Sequence, residues 1–190
     1  MYTILKKEML TPTICRMVVR APRLAAAALP GQFLIVRTDE TGERIPLTIS
    51  DFDRENGTVT IVTQKIGASS ARIVAMEVGD AFADVVGPLG KASEFVELSD
   101  EELSAKSYVF IAGGVGTAPV YPQAKWLHER GAHVEVIIGA RNESLLIYTE
   151  EMASVCSELH ICTDDGSKGF KGVGTAMLEK LVAEGHHFDQ

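Results

Sequence analysis

The sequence predicts an antiparallel β-barrel followed by an α/β domain with a parallel sheet. The first observation is a series of short β-type segments, separated by turn residues, that runs up to about Phe95. The second is the change, after the acidic stretch 99–104, to an alternation of strands and helices. Such alternation is typical of a parallel sheet with right-handed crossovers. The predicted domains are therefore residues 1–100 and residues 101–190.

The first domain contains six segments with the composition of strands. Turn residues separate them, and Asn56-Gly57 is a strong hairpin pattern. One helix is predicted at Ala68–Met76, because its apolar residues fall near one face, and the alanine run 25–28 indicates a short loop or helical turn. The predicted strands, which together favour an antiparallel barrel, are Thr3–Met9, Thr13–Val19, Gln32–Arg37, Ile45–Ser50, Thr58–Lys65 and Asp80–Val86.

Three strands alternate with three helices in the second domain. The first strand is apolar on both faces, as expected for a strand that helices cover on both sides of a sheet. The predicted strands are Tyr108–Ala112, His133–Gly139 and Glu158–Thr163, and the predicted helices are Pro119–Arg130, Tyr148–Cys156 and Gly174–Glu184.

A glycine-rich turn joins the first of these strands to the first helix. Gly113, Gly114 and Gly116 have no Cβ atoms, so backbone N–H groups can approach a pyrophosphate at the positive end of the helix. Pro119 suits the first turn of that helix, where its missing donor costs nothing. A glycine cluster alone is weak evidence, but here a strand precedes it and a helix follows it. The stretch therefore predicts a nucleotide-phosphate site.

Composition excludes several classes of function. The net charge of −8 argues against a nucleic-acid partner, which would require a basic face. No apolar run approaches the roughly 20 residues that cross a bilayer, and the first residues lack the order of a secretory signal. The cytoplasm is the expected location. The three cysteines and five histidines show no ligand spacing, so we expect no disulfide and no metal site within the chain.

Four motifs, in this order, resemble those of the ferredoxin-NADP reductase superfamily. They are Arg44-Ile-Pro-Leu-Thr48, Gly67-Ala-Ser-Ser70, Gly87-Pro-Leu-Gly90 and the glycine turn that ends at Pro119. Within the superfamily, the first motif and Thr163-Asp-Asp-Gly-Ser167 resemble the sulfide dehydrogenase and dihydroorotate dehydrogenase electron-transfer type. The chain is also similar to the small flavin-containing subunit of NADH-dependent reduced ferredoxin:NADP oxidoreductase. The resemblance covers essentially the whole sequence.

For the first domain, the resemblance implies a Greek-key barrel that binds FAD. Arg44 is expected to pair with a flavin phosphate, a role that suits the guanidinium fork, and Thr48 to lie near the flavin N5. No residue is assigned as an acid or base, because the cofactor carries the chemistry. An exposed edge strand at 44–48 and a plain helix cap at 67–70 remain alternatives. The other expected FAD contacts are Pro46, Leu47, Ile61, Val62, Thr63, Gly67, Ser69 and Ser70.

For the second domain, the resemblance implies a nicotinamide dinucleotide. Gly139 and Arg141 are expected near its adenosine ribose, and Arg141 either meets a 2′-phosphate or is a solvated loop charge. The loop 163–167 ends a strand at the ligand-binding edge, although turn chemistry alone also explains it. The expected contacts are Gly113, Gly114, Val115, Gly116, Thr117, Ala118, Pro119, Gly139, Arg141, Thr163, Asp164, Asp165, Gly166 and Ser167.

The sequence departs from the superfamily pattern in two places. An aromatic residue usually follows Asp-Asp-Gly-Ser, whereas Lys168 stands here and the aromatic residue is Phe170. Relatives also continue past the position of Gln190 into a further strand and a cysteine-rich lobe with a 2Fe-2S cluster. We therefore expect that the chain is truncated, that any cluster belongs to an extension or a partner, and that the edge of strand Tyr108–Ala112 is bare and favours self-association.

The resemblance implies a flavoprotein oxidoreductase subunit that passes electrons between NADH or NADPH and an iron-sulfur or protein acceptor through FAD. The expected partner is a larger catalytic subunit or a ferredoxin-type acceptor. Three alternatives remain open: a dihydroorotate dehydrogenase electron-transfer subunit, a stand-alone flavin reductase, and a non-catalytic regulatory subunit that binds a dinucleotide.

Overall fold

The computed structural model describes residues 2–190, which form two compact units. The first unit ends at Ser93 and the second spans Glu94–Gln190. Each unit has a hydrophobic core of its own. Among the described residues, no helix combines the length and the apolar composition that crossing a bilayer requires.

The first unit is a seven-stranded antiparallel barrel in the order β6-β1-β2-β5-β4-β3-β7. Strands β3, β4 and β5 pair in succession and β5 also pairs with β2, which is a Greek-key arrangement. The predicted barrel is therefore confirmed. The strands are β1 (Tyr2–Thr11), β2 (Ile14–Arg20), β3 (Phe33–Arg37), β4 (Ile45–Asp53), β5 (Thr58–Gln64), β6 (Ala81–Phe82) and β7 (Asp84–Leu89), and the helices are α1 (Pro22–Ala27) and α2 (Ala68–Ala75).

The last predicted strand of the barrel, Asp80–Val86, is divided in two. Its first part is β6, which pairs with β1, and its second part belongs to β7, which pairs with β3. Only Ala83 separates β6 from β7, yet the two lie at opposite edges of the sheet, so the barrel is nearly closed. A single β-rich run in the sequence cannot show that its two halves join different edges.

Alternating side chains fill the barrel core. On β2, Cys15, Met17 and Val19 are buried, and on β5 Val59 and Ile61 join the same cluster. Burying an aliphatic side chain of this size contributes about 1.5–3 kcal/mol relative to exposure. Helix α1 also packs on this core. The alanine run 25–28 forms the end of this helix and its C-cap.

The second unit is a parallel sheet in the order β11-β10-β9-β8, which confirms the predicted α/β fold. Its strands are β8 (Ser107–Gly113), β9 (His133–Ala140), β10 (Glu158–Thr163) and β11 (Phe170–Lys171). Its helices are α3 (Asp100–Ser104), α4 (Thr117–His128), α5 (Thr149–Ala153) and α6 (Gly174–Ala183), with 3-10 turns at Glu94–Glu97, Gly114–Gly116 and Glu143–Leu145.

Both faces of this sheet are covered. Val134, Val136 and Ile138 of β9 pack in a cluster that includes residues of α4 and α5. On the other face, Ile137 packs with residues of β10 and α6. Glu135 lies on that second face as well, and it is a charged side chain that is almost fully buried.

The outer edge of β8 is not bare along its first half. The Val109 amide donates to the carbonyl of Gln190 at 2.9 Å, and the Asp189 amide donates to the carbonyl of Ser107 at 2.8 Å. This corrects the expected bare edge, because the last residues of the sequence pair with the strand. Self-association stays a prediction.

Candidate functional site

In the second unit, the three predicted dinucleotide segments meet at one edge of the sheet. Strands β8, β9 and β10 are parallel, and Gly139 of β9 lies in register with Gly113 on one side and Cys162 on the other. The segments 113–119, 139–141 and 163–167 therefore all begin at the carboxyl ends of the strands. Open α/β sheets bind their ligands outside this edge.

The glycine turn leaves open space above its backbone. Gly114 has a φ of +52°, and a Cβ added at Gly114 or Gly116 would meet no atom within 4 Å. Helix α4 begins directly after this turn, with no acidic residue in its first turn. The N–H groups at a helix start lack partners in the helix and attract anions. The turn therefore fits a phosphate.

The other residues of this segment are buried or half-buried. Thr117 and Ala118 are buried and fix the start of α4, whereas Val115 and Pro119 are half-buried. The Thr117 hydroxyl is buried and has no hydrogen-bond partner. An unpaired buried hydroxyl is unfavourable, so Thr117 is a position where a ligand or a water would be stabilising.

Gly139 lies in a crowded part of the sheet. A Cβ at this position would lie 3.3 Å from the Cys162 sulfur and 3.7 Å from the carbonyl oxygen of Ala112. The glycine therefore allows close contact between neighbouring strands, whether or not a ligand binds. Arg141, two residues further on, is exposed at the same edge.

The loop 163–167 is held by its own hydrogen bonds. The buried Thr163 hydroxyl donates to the Lys168 carbonyl at 2.8 Å and accepts from the Lys168 amide at 3.0 Å. Hydrogen bonds from Ser167 hold the pKa of Asp165 below its ordinary value. Asp164, Asp165, Gly166 and Ser167 are all exposed. The loop is a hydrogen-bonded turn that presents two carboxylates to solvent.

Phe170 does not extend this loop toward a ligand. It lies in β11, in register with Cys162, and packs against the cluster of Ile137, Cys162 and Met177. The displaced aromatic residue of the sequence pattern is thus part of the core on the α6 side.

In the first unit, the predicted flavin residues lie on β4, on β5 and at the start of α2. Arg44, just before β4, is exposed and pairs with Asp84 of β7 at 3.3 Å. Pro46 is exposed, and Leu47 and Thr48 are half-buried. These side chains are accessible to a ligand.

The residues on β5 are less accessible than the sequence indicated. Ile61 is 1% exposed and lies in the barrel core, because the alternation along β5 directs it inward. The role of Ile61 as an FAD contact stays a prediction. Val62 and Thr63 are also buried, and the Thr63 hydroxyl has no hydrogen-bond partner.

The first turn of α2 has both a capping role and an open surface. The Ser70 hydroxyl accepts from the amides of Ile66 and Gly67, each at 3.0 Å, so the helix-cap alternative is realised. A Cβ on Gly67 would meet no atom within 4 Å. The Ser69 hydroxyl donates to the carboxylate of Glu43, which brings α2 against the segment that contains Arg44.

Glu43 and Asp84 lie beside residues of the candidate flavin site, and the sequence motifs did not reveal them. Each places a carboxylate beside a group proposed to hold phosphate: Asp84 beside Arg44, and Glu43 beside Ser69. Glu43 directly precedes Arg44 in the sequence, but its contact with α2 is formed only by the fold.

Two relatives are similar to the chain over most of its length. It is 54% identical over 182 residues to a Clostridium beijerinckii protein described as an uncharacterized protein in the adh 3′ region, covering 96% of this chain and 62% of that protein. It is 36% identical over 181 residues to a Thermotoga maritima homolog of the dihydroorotate dehydrogenase B (NAD(+)) electron transfer subunit, covering 95% and 61%. No protein-family model matches the chain.

The chain covers a larger share of a third relative. The dihydroorotate dehydrogenase B (NAD(+)) electron transfer subunit of Shouchella clausii is 30% identical over 181 residues, which cover 94% of this chain and 68% of that protein. The chain spans little more than three fifths of the first two relatives, since it covers 62% and 61% of them.

A solved structure is similar as well. The structure of NADH-dependent reduced ferredoxin-NADP oxidoreductase, described for flavin-based electron bifurcation, superimposes with a TM-score of 0.86 at 34% identity. The match covers 97% of this chain and 64% of that one.

Proposed function

Since the chain belongs to the family of dihydroorotate dehydrogenase B electron transfer subunits, we propose that it is the FAD- and NAD(P)H-binding part of an electron-transfer flavoprotein. The relatives include a dihydroorotate dehydrogenase B electron transfer subunit, and a similar solved structure is described for flavin-based electron bifurcation. We assign FAD to the barrel, residues 1–100, and NAD(P)H to the α/β domain, residues 101–190.

The open glycine turn is the observation that carries the proposal. Gly113–Pro119 lies at the carboxyl edge of a parallel sheet, with free space above Gly114 and Gly116 and an uncapped helix start behind them. A pyrophosphate has the charge and the size for this place. Arg141 and the loop 163–167 lie at the same edge and are the proposed contacts for the rest of the dinucleotide.

The proposed role of the barrel is to bind and orient FAD. Arg44 would hold a phosphate, Pro46, Leu47 and Thr48 would lie against the isoalloxazine ring, and Gly67, Ser69 and Ser70 would face the pyrophosphate. The exposed guanidinium and the open first turn of α2 support this assignment. FAD held by these residues would supply the hydride-accepting and one-electron chemistry of the reaction. No side chain of this chain is required as an acid or a base.

The proposed electron acceptor is an iron-sulfur centre or protein outside the described residues. One relative named above is an electron transfer subunit of dihydroorotate dehydrogenase B and another is a homolog of such a subunit, so a larger catalytic subunit is the proposed partner. A cytoplasmic location is proposed with it.

Reduction of bound flavin by NADH or NADPH tests the proposal. The purified protein should show flavin absorbance that is bleached when the dinucleotide is added without oxygen. Dinucleotide binding without any bound or bindable flavin would instead indicate a regulatory subunit. Rapid turnover with free flavin or a soluble acceptor, and no requirement for a protein partner, would indicate a stand-alone flavin reductase.

A further inference from the structure

Four potential metal ligands cluster at the amino ends of β9 and β10. Glu135 lies on β9, Glu158 and His160 lie on β10, and His186 follows α6. The parallel register places Glu158 beside Glu135, and His160, two residues along, faces the same side of the sheet. This end of the strands is opposite to the edge with the glycine turn.

The ligand atoms of these residues lie close to one another. His160 Nε2 is 2.7 Å from Glu135 Oε2 and 3.9 Å from Glu158 Oε2. His186 Nδ1 is 2.8 Å from Glu135 Oε1. One ligand atom each of Glu135, Glu158 and His186 lies within 4.8 Å of the other two.

The Glu135 carboxylate is buried, and among the described residues the side chains that contact it within hydrogen-bond distance are imidazoles. Its side chain is 4% exposed, and its partners are His133, His160 and His186. Burial raises the pKa of Glu135, but the hydrogen bonds from the three histidines outweigh this effect and lower it below its ordinary value. A buried carboxylate needs a compensating positive charge or a metal ion.

We propose that Glu135, Glu158, His160 and His186 bind one divalent transition-metal ion of the Zn²⁺ type. Two imidazole nitrogens and two carboxylate oxygens form a donor set that suits Zn²⁺, whereas Mg²⁺ and Ca²⁺ prefer oxygen alone. His133 Nε2, 3.2 Å from Glu135 Oε1, orients the carboxylate as an outer partner.

The proposed site is structural, because the chain itself supplies four ligands. It would tie His186, whose amide donates to the Leu181 carbonyl at 3.0 Å, to the two strands. The sequence analysis expected no metal site, because only Glu158 and His160 are near each other in the chain, and Glu135 and His186 join them through the fold. It is independent of the proposed flavin and dinucleotide sites.

Zinc titration of the metal-free protein tests the proposal, with His186→Ala and His187→Ala as matched variants. His187 is the neighbouring histidine, and its side chain is 86% exposed. We expect one Zn²⁺ per chain in competition with a chromophoric chelator, and a rise in melting temperature on binding. His186→Ala should weaken binding more than about tenfold, because loss of even an outer partner of a metal ligand costs about 10–100-fold, and His187→Ala should not.

A second variant guards against loss of the fold. Glu158 has a half-exposed side chain at the start of β10, so Glu158→Gln should leave the circular dichroism spectrum unchanged and still weaken Zn²⁺ binding more than about tenfold. Bound Co²⁺ should give the intense visible absorption of a tetrahedral site in the wild type only. Absence of stoichiometric Zn²⁺ binding, or equal affinity in the wild type and both folded ligand variants, overturns the proposal.

Discussion

The guanidinium of Arg44, which directly precedes β4, lies 3.3 Å from the carboxylate of Asp84 at the start of β7. The pair spans β3, which lies between β4 and β7 in the sheet. Both side chains are partly exposed, at 55% and 32%, and such pairs contribute little, about 0.2–1 kcal/mol. Arg44 can therefore exchange Asp84 for a flavin phosphate at small cost.

Arg44→Ala should weaken FAD binding by about 1.5–3 kcal/mol, the range for a hydrogen bond to a charged group. The measurement is a titration of flavin-free protein followed by flavin fluorescence. Asp84→Asn is the matched control, because it removes the ion pair but keeps the guanidinium. Its FAD affinity should equal or exceed that of the wild type. Equal affinity in Arg44→Ala and the wild type would remove Arg44 from the flavin site.

Glu43→Gln should strengthen FAD binding. The Glu43 carboxylate accepts a hydrogen bond from Ser69 in the first turn of α2, where we propose the pyrophosphate. A negative charge at a helix start competes with an anionic ligand, and its removal is worth about 0.3–1 kcal/mol at low salt.

Glu55→Gln is the control for this change in net charge, because Glu55 lies in the turn between β4 and β5, at the other end of β4. The gain in affinity of Glu43→Gln should shrink as salt is added, since exposed charges are screened. Weaker FAD binding by Glu43→Gln would show that Glu43 positions Ser69 for the ligand.

Gly116→Ala should lower dinucleotide affinity without lowering stability. Gly116 has a helical backbone, with a φ of −64°, and its added methyl group would meet no protein atom within 4 Å. Alanine at such a position is neutral or stabilises by about 0.4–1 kcal/mol. The methyl group would, however, occupy space that the pyrophosphate needs.

Gly114→Ala provides the comparison, because its φ of +52° strains any side chain. It should lose both NADH affinity and about 1–2 kcal/mol of stability. NADH titration and urea unfolding of both variants separate the two effects. Wild-type NADH affinity in Gly116→Ala would contradict the assignment of this turn.

The sequence predicted the strand, glycine turn and helix at the carboxyl edge because their patterns are local, and dinucleotide binding there stays a prediction. A strand, three glycines and a helix follow one another, and parallel pairing then places Gly139 and Thr163 at the same edge. The Glu135 cluster was not predictable in this way, since strand register and the end of α6 bring its members together. The inward direction of Ile61 likewise depends on which face of β5 closes the barrel.

The cysteine thiols should resist alkylation in the folded protein. Cys15, Cys156 and Cys162 are buried, and burial raises the pKa of Cys156 to about 11. At pH 8 only about 0.1% of such a thiol is ionised, and the thiolate is the reactive form. Iodoacetamide labelling followed by mass spectrometry should show modification only after denaturant is added. Rapid native labelling of Cys156 would show that its surroundings open easily.

Gly169→Ala should destabilise the α/β unit by more than the strain of placing alanine in a left-handed backbone conformation. Gly169 has a φ of +67°, and an added Cβ would lie 2.1 Å from the carbonyl oxygen of Ile161. The loop would have to move away from β10, which would disturb the pairing of Phe170 with Cys162.

Gly131→Ala is the matched control, because Gly131 has a φ of +79° but its nearest contact is 3.7 Å away. The control should lose about 1–2 kcal/mol through strain alone, and Gly169→Ala should lose clearly more in urea unfolding. Equal losses of unfolding free energy in the two variants would mean that the loop 163–169 can move without destabilising the unit. The loop would then not hold Asp164 and Asp165 in a fixed position.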